Sequence, residues 1–245
     1  MIQTLFETPS TYRPTAAELA APVPPVEAVL FDFSNTIFQM IDLGAWLRRV
    51  GEASGRLALL DEQGGVSGIS RQLREAFRLP GVVALQEGRD LSSERHRLAM
   101  RGWWEHVDFL RGAEEEAYRQ LTAPDAWVPY SDTGPTLRAL RDRGLRIGIV
   151  SDFAWDLRTH LAHHGLDDLI DGCVISYEQA REKPDPQLFL KACADLGADP
   201  RATLMVGDNP VRDGGAAACG LRTYLLPSES RTGDRGLADV LRLVT

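Results

Sequence analysis

An apolar run that ends on a carboxylate constrains this chain more than any other stretch. Residues Ala28–Phe31 are continuously apolar, Asp32 follows them, and small polar residues come directly afterwards. A buried parallel strand has such an uninterrupted apolar run. In open α/β sheets, ligands bind just beyond the carboxyl ends of the strands. The stretch therefore predicts a buried strand with Asp32 at a ligand-binding edge, although a turn aspartate closing an ordinary strand fits the same residues.

The composition bears on the classes of partner. The chain has 245 residues and a net charge of −8, which suits one core domain with a smaller second one and gives no reason to expect nucleic acid or an anionic membrane as a partner. No apolar run approaches the ~20 residues of a membrane span, and the N-terminus lacks the pattern of a signal peptide. Three cysteines without metal-ligand spacing are expected to be reduced thiols. We therefore expect a cytoplasmic protein.

The first 128 residues are predicted to form an arm, a strand and a long helical segment. Residues 1–25 contain five prolines and are expected to form an irregular arm, with one short helix around Ala16–Ala21. Residues 40–128 show no clear strand, and their helical periodicity, interrupted by glycines and by Pro80, predicts a small all-helical domain inserted after the first strand. The expected helices are Asp42–Leu60, Ser70–Phe77, Leu91–Leu110 and Ala113–Leu121.

From residue 129 onward, predicted strands and helices alternate. This alternation indicates an α/β fold, a doubly wound parallel sheet formed by residues 26–39 and 129–245. Cap residues and prolines mark the helix starts, and glycines mark the ends. The expected strands are Leu145–Val150, Asp171–Ile175, Thr203–Val206 and Leu221–Leu226, and helices are expected to begin at Ser131 or Asp132, Ser151-Asp152, Asp185, Asn209-Pro210 and Gly236.

Polar side chains follow or flank the later strands. The hydroxyl of Ser151, followed by Asp152 at a predicted helix N-terminus, suits an anion such as phosphate. Asp208 and Asp213 surround a strand-to-helix turn, and carboxylates from two strand ends suit Mg²⁺. Lys183 adds a cation, and only two of the 27 basic residues are lysine. Together these groups indicate phosphoryl transfer, whereas each alone also fits a helix cap or a surface residue.

These stretches together resemble the haloacid dehalogenase superfamily of hydrolases, whose members are mostly phosphatases. The resemblance covers four motifs between about residues 26 and 226, and the stretches Ser151–Leu157 and Glu182–Phe189 are similar to a phosphatase-like subgroup with a helical cap. It implies a Rossmann-like core, and a cap at residues 40–128 that closes over the site and selects the substrate.

The resemblance also implies a two-step mechanism that requires Mg²⁺. Asp32 attacks the phosphorus of a small phosphorylated substrate to form an aspartyl-phosphate, and water then releases phosphate. Asp213 is expected either to bind the metal directly or to lie just behind its ligands. By this resemblance the catalytic residues are Asp32, Ser34 and Lys183, the substrate-binding residues are Ser151, Asp152, Thr36 and Asn35, and the metal ligands are Asp32, the backbone carbonyl of Ser34, Asp208 and Asp213.

The first motif departs from the family pattern at two positions. Phosphatases of the family usually carry a second Asp two residues after the nucleophile as general acid and base, and this chain has Ser34 there. A serine hydroxyl does not titrate near neutrality, and general acid–base catalysis is worth about 10²–10⁴-fold. Asn35 replaces the usual glycine, which is a milder change because asparagine tolerates left-handed backbone geometry.

Several functions therefore stay open beside the leading one, Mg²⁺-dependent phosphomonoester hydrolysis. The substrates could have good leaving groups, such as acyl phosphates or diphosphates, or the cap could supply the acid through Glu105, His96 or His106, which also fit packing or surface roles. Dehalogenation is a further alternative, although Asp208 and Asp213 are typical of a metal site. The branch of the resembled family that cleaves carbon–phosphorus bonds needs a cap lysine, and the absence of lysine between residues 37 and 182 disfavours that branch.

The last alternative is a diverged protein that uses the Mg²⁺ and phosphate site without hydrolysis. Such a protein would bind a phosphate or diphosphate ligand, or carry out a lyase-like or cyclase-like reaction on it. Trp103-Trp104, with Trp46 and Phe109, could then line an apolar pocket, although the same residues fit an ordinary helical core.

Overall fold

The computed structural model describes residues 15–17, 21–227 and 233–244. Residues 18–20 of the predicted short helix around Ala16–Ala21, and most of the proline-rich arm, lie outside the described residues. The chain separates into two compact units. Unit 1 comprises Met1–Gln39, Pro129–Asp152 and Gly165–Thr245, and unit 2 comprises Met40–Val128 and Phe153–His164.

Unit 1 is built around a parallel sheet whose central strand carries the apolar run. The strands of the chain are β1 (Ala28–Phe31), β2 (Phe38–Met40), β3 (Trp127–Pro129), β4 (Arg146–Ser151), β5 (Gly172–Ile175), β6 (Thr203–Gly207) and β7 (Arg222–Leu225). Five of them form one sheet in the order β5-β4-β1-β6-β7 with every pairing parallel, while β2 and β3 form a separate two-stranded sheet. All four residues of β1 are buried, as expected for a strand covered on both faces.

Helices flank this sheet, so the predicted α/β fold is confirmed. Among the described residues from 21 onward, the α-helices are α1 (Leu43–Ser54), α2 (Leu57–Glu62), α3 (Gly65–Ala76), α4 (Pro80–Gln86), α5 (Ser93–Trp104), α6 (Glu114–Thr122), α7 (Thr133–Asp142), α8 (Arg158–His163), α9 (Ser176–Gln179), α10 (Pro186–Asp195) and α11 (Val240–Leu243). Helix α10 contacts β4 and β5, and Leu188 and Phe189 of that helix pack with Leu30 and Val150 in the core. Asp185 caps α10 as predicted, since its Oδ1 accepts the N–H of Gln187 at 2.9 Å.

Two helix starts in unit 1 differ from the prediction. No helix begins at Ser151-Asp152, because α8 starts only at Arg158, where Asp156 Oδ1 accepts the Arg158 N–H at 3.0 Å. The prediction of an anion-binding helix N-terminus at Ser151 is therefore wrong. The helix predicted from Asn209-Pro210 is instead a turn, followed by a 3₁₀ helix over Asp213–Cys219.

Unit 2 is helical over most of its length, with different boundaries from those predicted. The single helix expected over Asp42–Leu60 is two helices, α1 and α2, because Gly55 ends α1 in the left-handed region at φ 70°. The expected break over residues 64–68 is present between α2 and α3, where Gly64 has φ 79°, although residues 65–68 already lie in α3. The second expected break is also present, because α3 ends at Ala76 and Pro80 begins α4, as suits proline in the first turn. Helix α5 ends at Trp104, well before the predicted Leu110.

Residues Phe153–His164 belong to unit 2, whereas the sequence predicts residues 129–245 to form part of the α/β core. Trp155 lies with its ring centroid 5.3 Å from that of His96, and Ser93 Oγ donates a hydrogen bond to the carbonyl of Ala154. His160 Nδ1 is 3.1 Å from the carbonyl oxygen of Pro124. The chain therefore crosses between the two units directly after Asp152, in addition to the crossings near residues 40 and 128.

The state of the cysteines and the possibility of a membrane-spanning helix were both expectations from the composition. Cys173, Cys193 and Cys219 are all free thiols. Within the described ranges, no helix combines the length and the apolar character needed to cross a membrane.

Candidate functional site

The parallel register brings three predicted site residues to one edge of the sheet. Phe31 at the end of β1 pairs with Ile149 of β4 and with Val206 of β6. Asp32 therefore follows β1 where Ser151 ends β4 and Asp208 follows β6. The Asp32 N–H donates to the carbonyl of Val206 at 2.9 Å, which extends the strand pairing to the carboxylate itself.

Lys183 connects the two carboxylates at the centre of this edge. Its Nζ lies 2.8 Å from Asp32 Oδ1 and 2.5 Å from Asp213 Oδ1. The lysine is only 4% exposed and Asp213 is fully buried. The alternative of a solvated surface lysine is therefore excluded. Asp213 does lie in the first turn of the 3₁₀ helix over Asp213–Cys219, but it is buried there rather than a surface residue. A buried ammonium needs such paired partners, because an unpaired buried charge is strongly destabilising.

Asp213 is held by backbone groups as well as by the lysine. Its Oδ2 accepts the N–H of Asp208 at 3.0 Å and that of Asn209 at 2.9 Å. The carboxylate packs against the end of β6, where a Cβ on Gly207 would lie 2.2 Å from Asp213 Oδ2. Glycine at position 207 is therefore required for this approach, and both oxygens of Asp213 already have partners.

Asp152 contacts the lysine loop rather than leaving its oxygens free. Its Oδ1 accepts the backbone N–H of Lys183 at 2.8 Å, and its Oδ2 accepts from the guanidinium of Arg212. These contacts favour a role in placing Lys183. The substrate-binding role of Asp152 stays a prediction.

The loop after Asp32 is a tight turn with a left-handed residue. Asn35 has φ 57°, a conformation that asparagine tolerates better than most residues, and its N–H donates to the carbonyl of Phe38 at 2.7 Å. Ser34 forms an isolated bridge with Phe38. The buried hydroxyls of Thr36 and Ser151 have no hydrogen-bond partner among the described residues, and such groups commonly mark a site completed by a ligand or water.

Burial and neighbouring charges shift the titration of the site. Burial raises the pKa of Asp32 to about 6, Lys183 opposes the shift, and Asp213 adds to it. Burial alone would lower the pKa of Lys183, but the carboxylates of Asp32 and Asp213 outweigh it and raise that pKa. Burial, and then the charge of Asp213, also raises the pKa of Asp208. At neutral pH these shifts leave an ion pair between Asp32 and Lys183.

The same carboxylates form a group that fits a divalent cation. One oxygen each of Asp32, Asp208 and Asp213 lies within 4.8 Å of the others. Carboxylate oxygens are the ligands that Mg²⁺ prefers. Burial first, and then the charge of Asp213, raises the pKa values of Asp32 and Asp208, so a bound cation would favour their carboxylate forms. The donor set therefore fits Mg²⁺.

Comparison with known proteins identifies the family. A sequence model of the haloacid dehalogenase-like hydrolases matches residues 26–220. The chain belongs to this family. The predicted resemblance is thus confirmed, and so is the assignment to a family of hydrolases.

Proteins similar to this haloacid dehalogenase-like hydrolase include one named only for its domain, one named as a phosphatase and one named as a dehalogenase. Haloacid dehalogenase-like hydrolase domain-containing protein 3 of Bos taurus is 30% identical over 145 residues, covering 54% of this chain and 58% of that protein. Glyceraldehyde 3-phosphate phosphatase of Methanopyrus kandleri is 30% identical over 189 residues, covering 77% of this chain and 78% of that protein. (S)-2-haloacid dehalogenase 4A of Burkholderia cepacia is 26% identical over 206 residues, covering 81% of each chain.

A solved structure shows the same fold. A haloacid dehalogenase-type phosphatase from Thermococcus onnurineus superposes with a TM-score of 0.57 at 24% identity, covering 89% of this chain and 98% of that one. At this identity the similarity concerns the fold alone.

The residues of unit 2 that the sequence suggested as general acids are either neutral near pH 7 or exposed. His96 is 5% exposed, and burial, reinforced by the charge of Arg89, lowers its pKa to about 3, so its imidazole is neutral near pH 7. Glu105 and His106 have side chains that are 54% and 44% exposed.

The aromatic residues proposed for an apolar pocket mostly fill the core of unit 2. Trp46, Trp104 and Phe109 are buried, and the rings of the two tryptophans lie 5.5 Å apart. Trp103 donates its Nε1–H to the carbonyl of Leu73 at 2.9 Å. The simpler interpretation of these residues, an ordinary helical core, accounts for their positions.

Sequence reasoning missed two arginines of this hydrolase. Arg212 follows Asp208 by four residues and binds Asp152, and Arg235 lies in the C-terminal segment and reaches the loop after Asp32. The proximity of Arg212 to the acidic motif was a signal that could have found it. For Arg235 the only local signal is its place between Gly233 and Gly236, both of which have positive φ.

Proposed function

We propose that the protein is a Mg²⁺-dependent phosphatase that transfers the phosphoryl group of a small organic phosphate to Asp32. The observation that carries the proposal is the buried Lys183 between Asp32 and Asp213, with Asp208 completing a cluster of three carboxylates. This arrangement combines a nucleophile, a fixed cation and an oxygen-rich metal site at one strand edge.

The reaction would proceed through a covalent intermediate on Asp32. A carboxylate oxygen of Asp32 forms a bond to phosphorus while the bond to the leaving oxygen breaks, and that oxygen keeps the electron pair. Water then attacks the aspartyl-phosphate, which releases phosphate and restores the carboxylate. When bound, Mg²⁺ would neutralise charge on the carboxylates and on the phosphoryl group.

The residues of the site would have distinct roles in this reaction. The ammonium of Lys183 would hold the phosphoryl oxygens and keep Asp32 oriented. The hydroxyls of Thr36 and Ser151, which have no hydrogen-bond partner within the part of the chain that the structure describes, would donate to the same oxygens. Asp208 and the carbonyl of Ser34 would bind the metal beside Asp32, while Asp213 would mainly hold Lys183 and the Asp208 turn.

The names of relatives support phosphatase chemistry without identifying the substrate. The phosphatase of Methanopyrus kandleri aligns with most of this chain, whereas the alignment with the bovine relative covers little more than half of that protein's length. We propose a small phosphorylated molecule as the substrate and a cytoplasmic location.

The decisive experiment is phosphate release from a panel of small phosphates, with Mg²⁺ and with excess EDTA. We expect Mg²⁺-dependent release by the wild type and none by Asp32→Asn. The matched control is Asp195→Asn, which removes an exposed acid paired with Lys191 and should retain the activity. Release that survives in Asp32→Asn would overturn the nucleophile assignment.

Ser34 favours a second candidate, a diverged protein that binds a phosphate or diphosphate without ordinary turnover. This position offers a hydroxyl where a carboxylic acid would assist the leaving group. If only the acid is missing, Ser34→Asp should raise the rate with alkyl phosphates by about tenfold or more. If the wild type is silent across the panel but binds Mg²⁺ and phosphate, the diverged candidate is favoured.

Dehalogenation is a minor third candidate, since the Burkholderia cepacia dehalogenase also aligns with most of the chain. The carboxylate cluster, which fits a metal, disfavours it. Halide release from 2-haloacids in EDTA would establish this activity and reject the phosphatase proposal.

A further inference from the structure

Arg235 is a buried cation that the proposed reaction scheme does not use. It is 2% exposed, its Nε donates to the carbonyl of Asn35 at 2.6 Å, and its Nη2 donates to the carbonyl of Pro227 at 2.7 Å. The guanidinium carbon lies 5.8 Å from the centroid of the Tyr130 ring. A buried guanidinium is costly unless its donors are used, so these contacts mark a specific placement.

The backbone around Arg235 is fixed as firmly as its side chain. Asp132 accepts the N–H of Arg235 at 3.0 Å through Oδ1, and the N–H groups of Gly236 at 2.8 Å and Leu237 at 2.7 Å through Oδ2. The Ser131 N–H donates to the carbonyl of Gly233 at 2.7 Å. The C-terminal segment is therefore joined to residues 131–132 at the start of α7.

The start of α7 also holds the loop that follows the nucleophile. Thr133 Oγ1 donates to the carbonyl of Ile37 at 2.7 Å, and the Tyr130 N–H donates to the same oxygen at 3.3 Å. The loop is thus held at Ile37 by residues 130–133 and at Asn35 by Arg235. Because Asp132 holds Arg235 in turn, the three segments form a closed circuit of hydrogen bonds.

We propose that Arg235 is a positioning residue, which fixes the turn carrying Ser34 and Thr36 beside Asp32. The carbonyl of Asn35 belongs to the peptide group that leads into Thr36, so the Arg235 contact sets the orientation of that peptide. Asn35 is also a non-glycine residue at φ 57°, a conformation that persists only where the surroundings hold it. This inference rests on the proposed function for its kinetic consequences, but not for its binding consequences.

The first test compares Arg235→Ala and Arg235→Lys with wild type, using p-nitrophenyl phosphate and Mg²⁺. We expect Arg235→Ala to lower kcat about 10²-fold with little change in KM, because a small displacement of reacting groups costs this much. Arg235→Lys should be nearly as impaired, because an ammonium cannot reproduce the planar fork that spans two carbonyls. The control is Arg146→Ala, which removes a guanidinium bound to the carbonyls of Leu196 and Gly197.

Chemical rescue separates positioning from general stability. Millimolar guanidinium should restore part of the lost kcat of Arg235→Ala in a saturable way, whereas equal NaCl should not, and Arg146→Ala should not respond. Wild-type kcat in Arg235→Lys, or a loss in Arg235→Ala that guanidinium does not restore, would overturn the proposal.

A binding measurement keeps the inference testable if the wild type proves to have no turnover. Orthovanadate with Mg²⁺ should raise the thermal unfolding temperature of the wild type and of Arg146→Ala. The rise should be much smaller in both Arg235 variants. An equal rise in all four proteins would reject the positioning role, whereas absence of turnover in the wild type alone would reject only the proposed function.

Discussion

At the scale of single residues, the site depends on one ammonium shared by two buried carboxylates. Lys183 contacts Asp32 and Asp213 at hydrogen-bond distances, and these contacts outweigh the desolvation of the lysine. Asp32 nevertheless keeps a raised pKa, because burial disfavours its charged form more than the charge of Lys183 favours it. A cation bound to the same carboxylate should therefore have a large effect on this titration.

The titration of Asp32 should follow the metal. In EDTA, we expect the Asp32 carboxyl to titrate near pH 6, where burial places its pKa. Mg²⁺ favours the carboxylate form, so the midpoint should move to lower pH as Mg²⁺ is added. The measurement is ¹³C NMR of protein labelled at the aspartate carboxyl carbon, with Asp32→Asn to assign the signal.

The sign of the associated stability change follows from the same shift. Folding raises the pKa of the Asp32 carboxyl from 3.8 to about 6. Its contribution to the stability of the fold is therefore fully present below pH 3.8, the pKa in the unfolded chain, and is lost as the pH rises through about 6. A titration midpoint of Asp32 near pH 4 in EDTA would contradict burial as the dominant cause of the raised pKa. A midpoint that Mg²⁺ does not move would contradict the assignment of Asp32 as a metal ligand.

The sequence indicated some of these residues but could not indicate others. The rarity of lysine drew attention to Lys183, and the strand-end position did so for Asp32. The contact between Arg235 and Asn35 joins residues 200 positions apart, and no local pattern reports such a pairing. Likewise, the two backbone N–H groups that bind Asp213 depend on the turn geometry, which side-chain identities alone do not specify.

At the scale of elements, buried strands were predictable and helix starts were less so. The strands β1, β4 and β6 are apolar because both faces of the sheet are covered, and this burial is directly visible as an apolar run. Ser151-Asp152 has the residue types of a helix cap, yet no helix starts there. The oxygens of Asp152 instead bind groups that lie 31 and 60 positions further along the chain, in Lys183 and Arg212.

The junction between β6 and its turn should tolerate no side chain at Gly207. A methyl group there would meet the carboxylate of Asp213, so Gly207→Ala should displace Asp213 from Lys183. We expect a loss of activity of about 10²-fold and a destabilisation of about 1–3 kcal/mol, measured by phosphate release and by denaturant unfolding. The control is Gly214→Ala, since a Cβ built there has no neighbour within 4 Å among the described residues beyond the adjoining backbone. Equal behaviour of the two variants would show that the close approach is unimportant.

At the scale of the whole molecule, the acidic cluster predicts a link between cation binding and global stability. The chain carries a net charge of −8, and three of its acids lie together in unit 1 with raised pKa values at Asp32 and Asp208. Raised values mean that the charged cluster opposes folding near pH 7. A cation that binds only the folded chain relieves this cost, and the effect applies to the cooperative unfolding of the unit that contains the site.

Mg²⁺ should therefore raise the unfolding temperature of the wild type in proportion to the logarithm of its concentration. At 100 times the dissociation constant, the expected stabilisation is about 2.7 kcal/mol. Asp208→Asn should lose most of this increase, while in EDTA at pH 7 it should be at least as stable as wild type, because it removes a charge whose pKa is raised by burial and by Asp213. Asp195→Asn, which changes the net charge equally at an exposed position, should keep the full increase. The measurement is a calorimetric or fluorescence melt across a Mg²⁺ series. The same increase in Asp208→Asn as in Asp195→Asn would place the bound Mg²⁺ elsewhere and remove the support that the carboxylate cluster gives to a metal-dependent reaction.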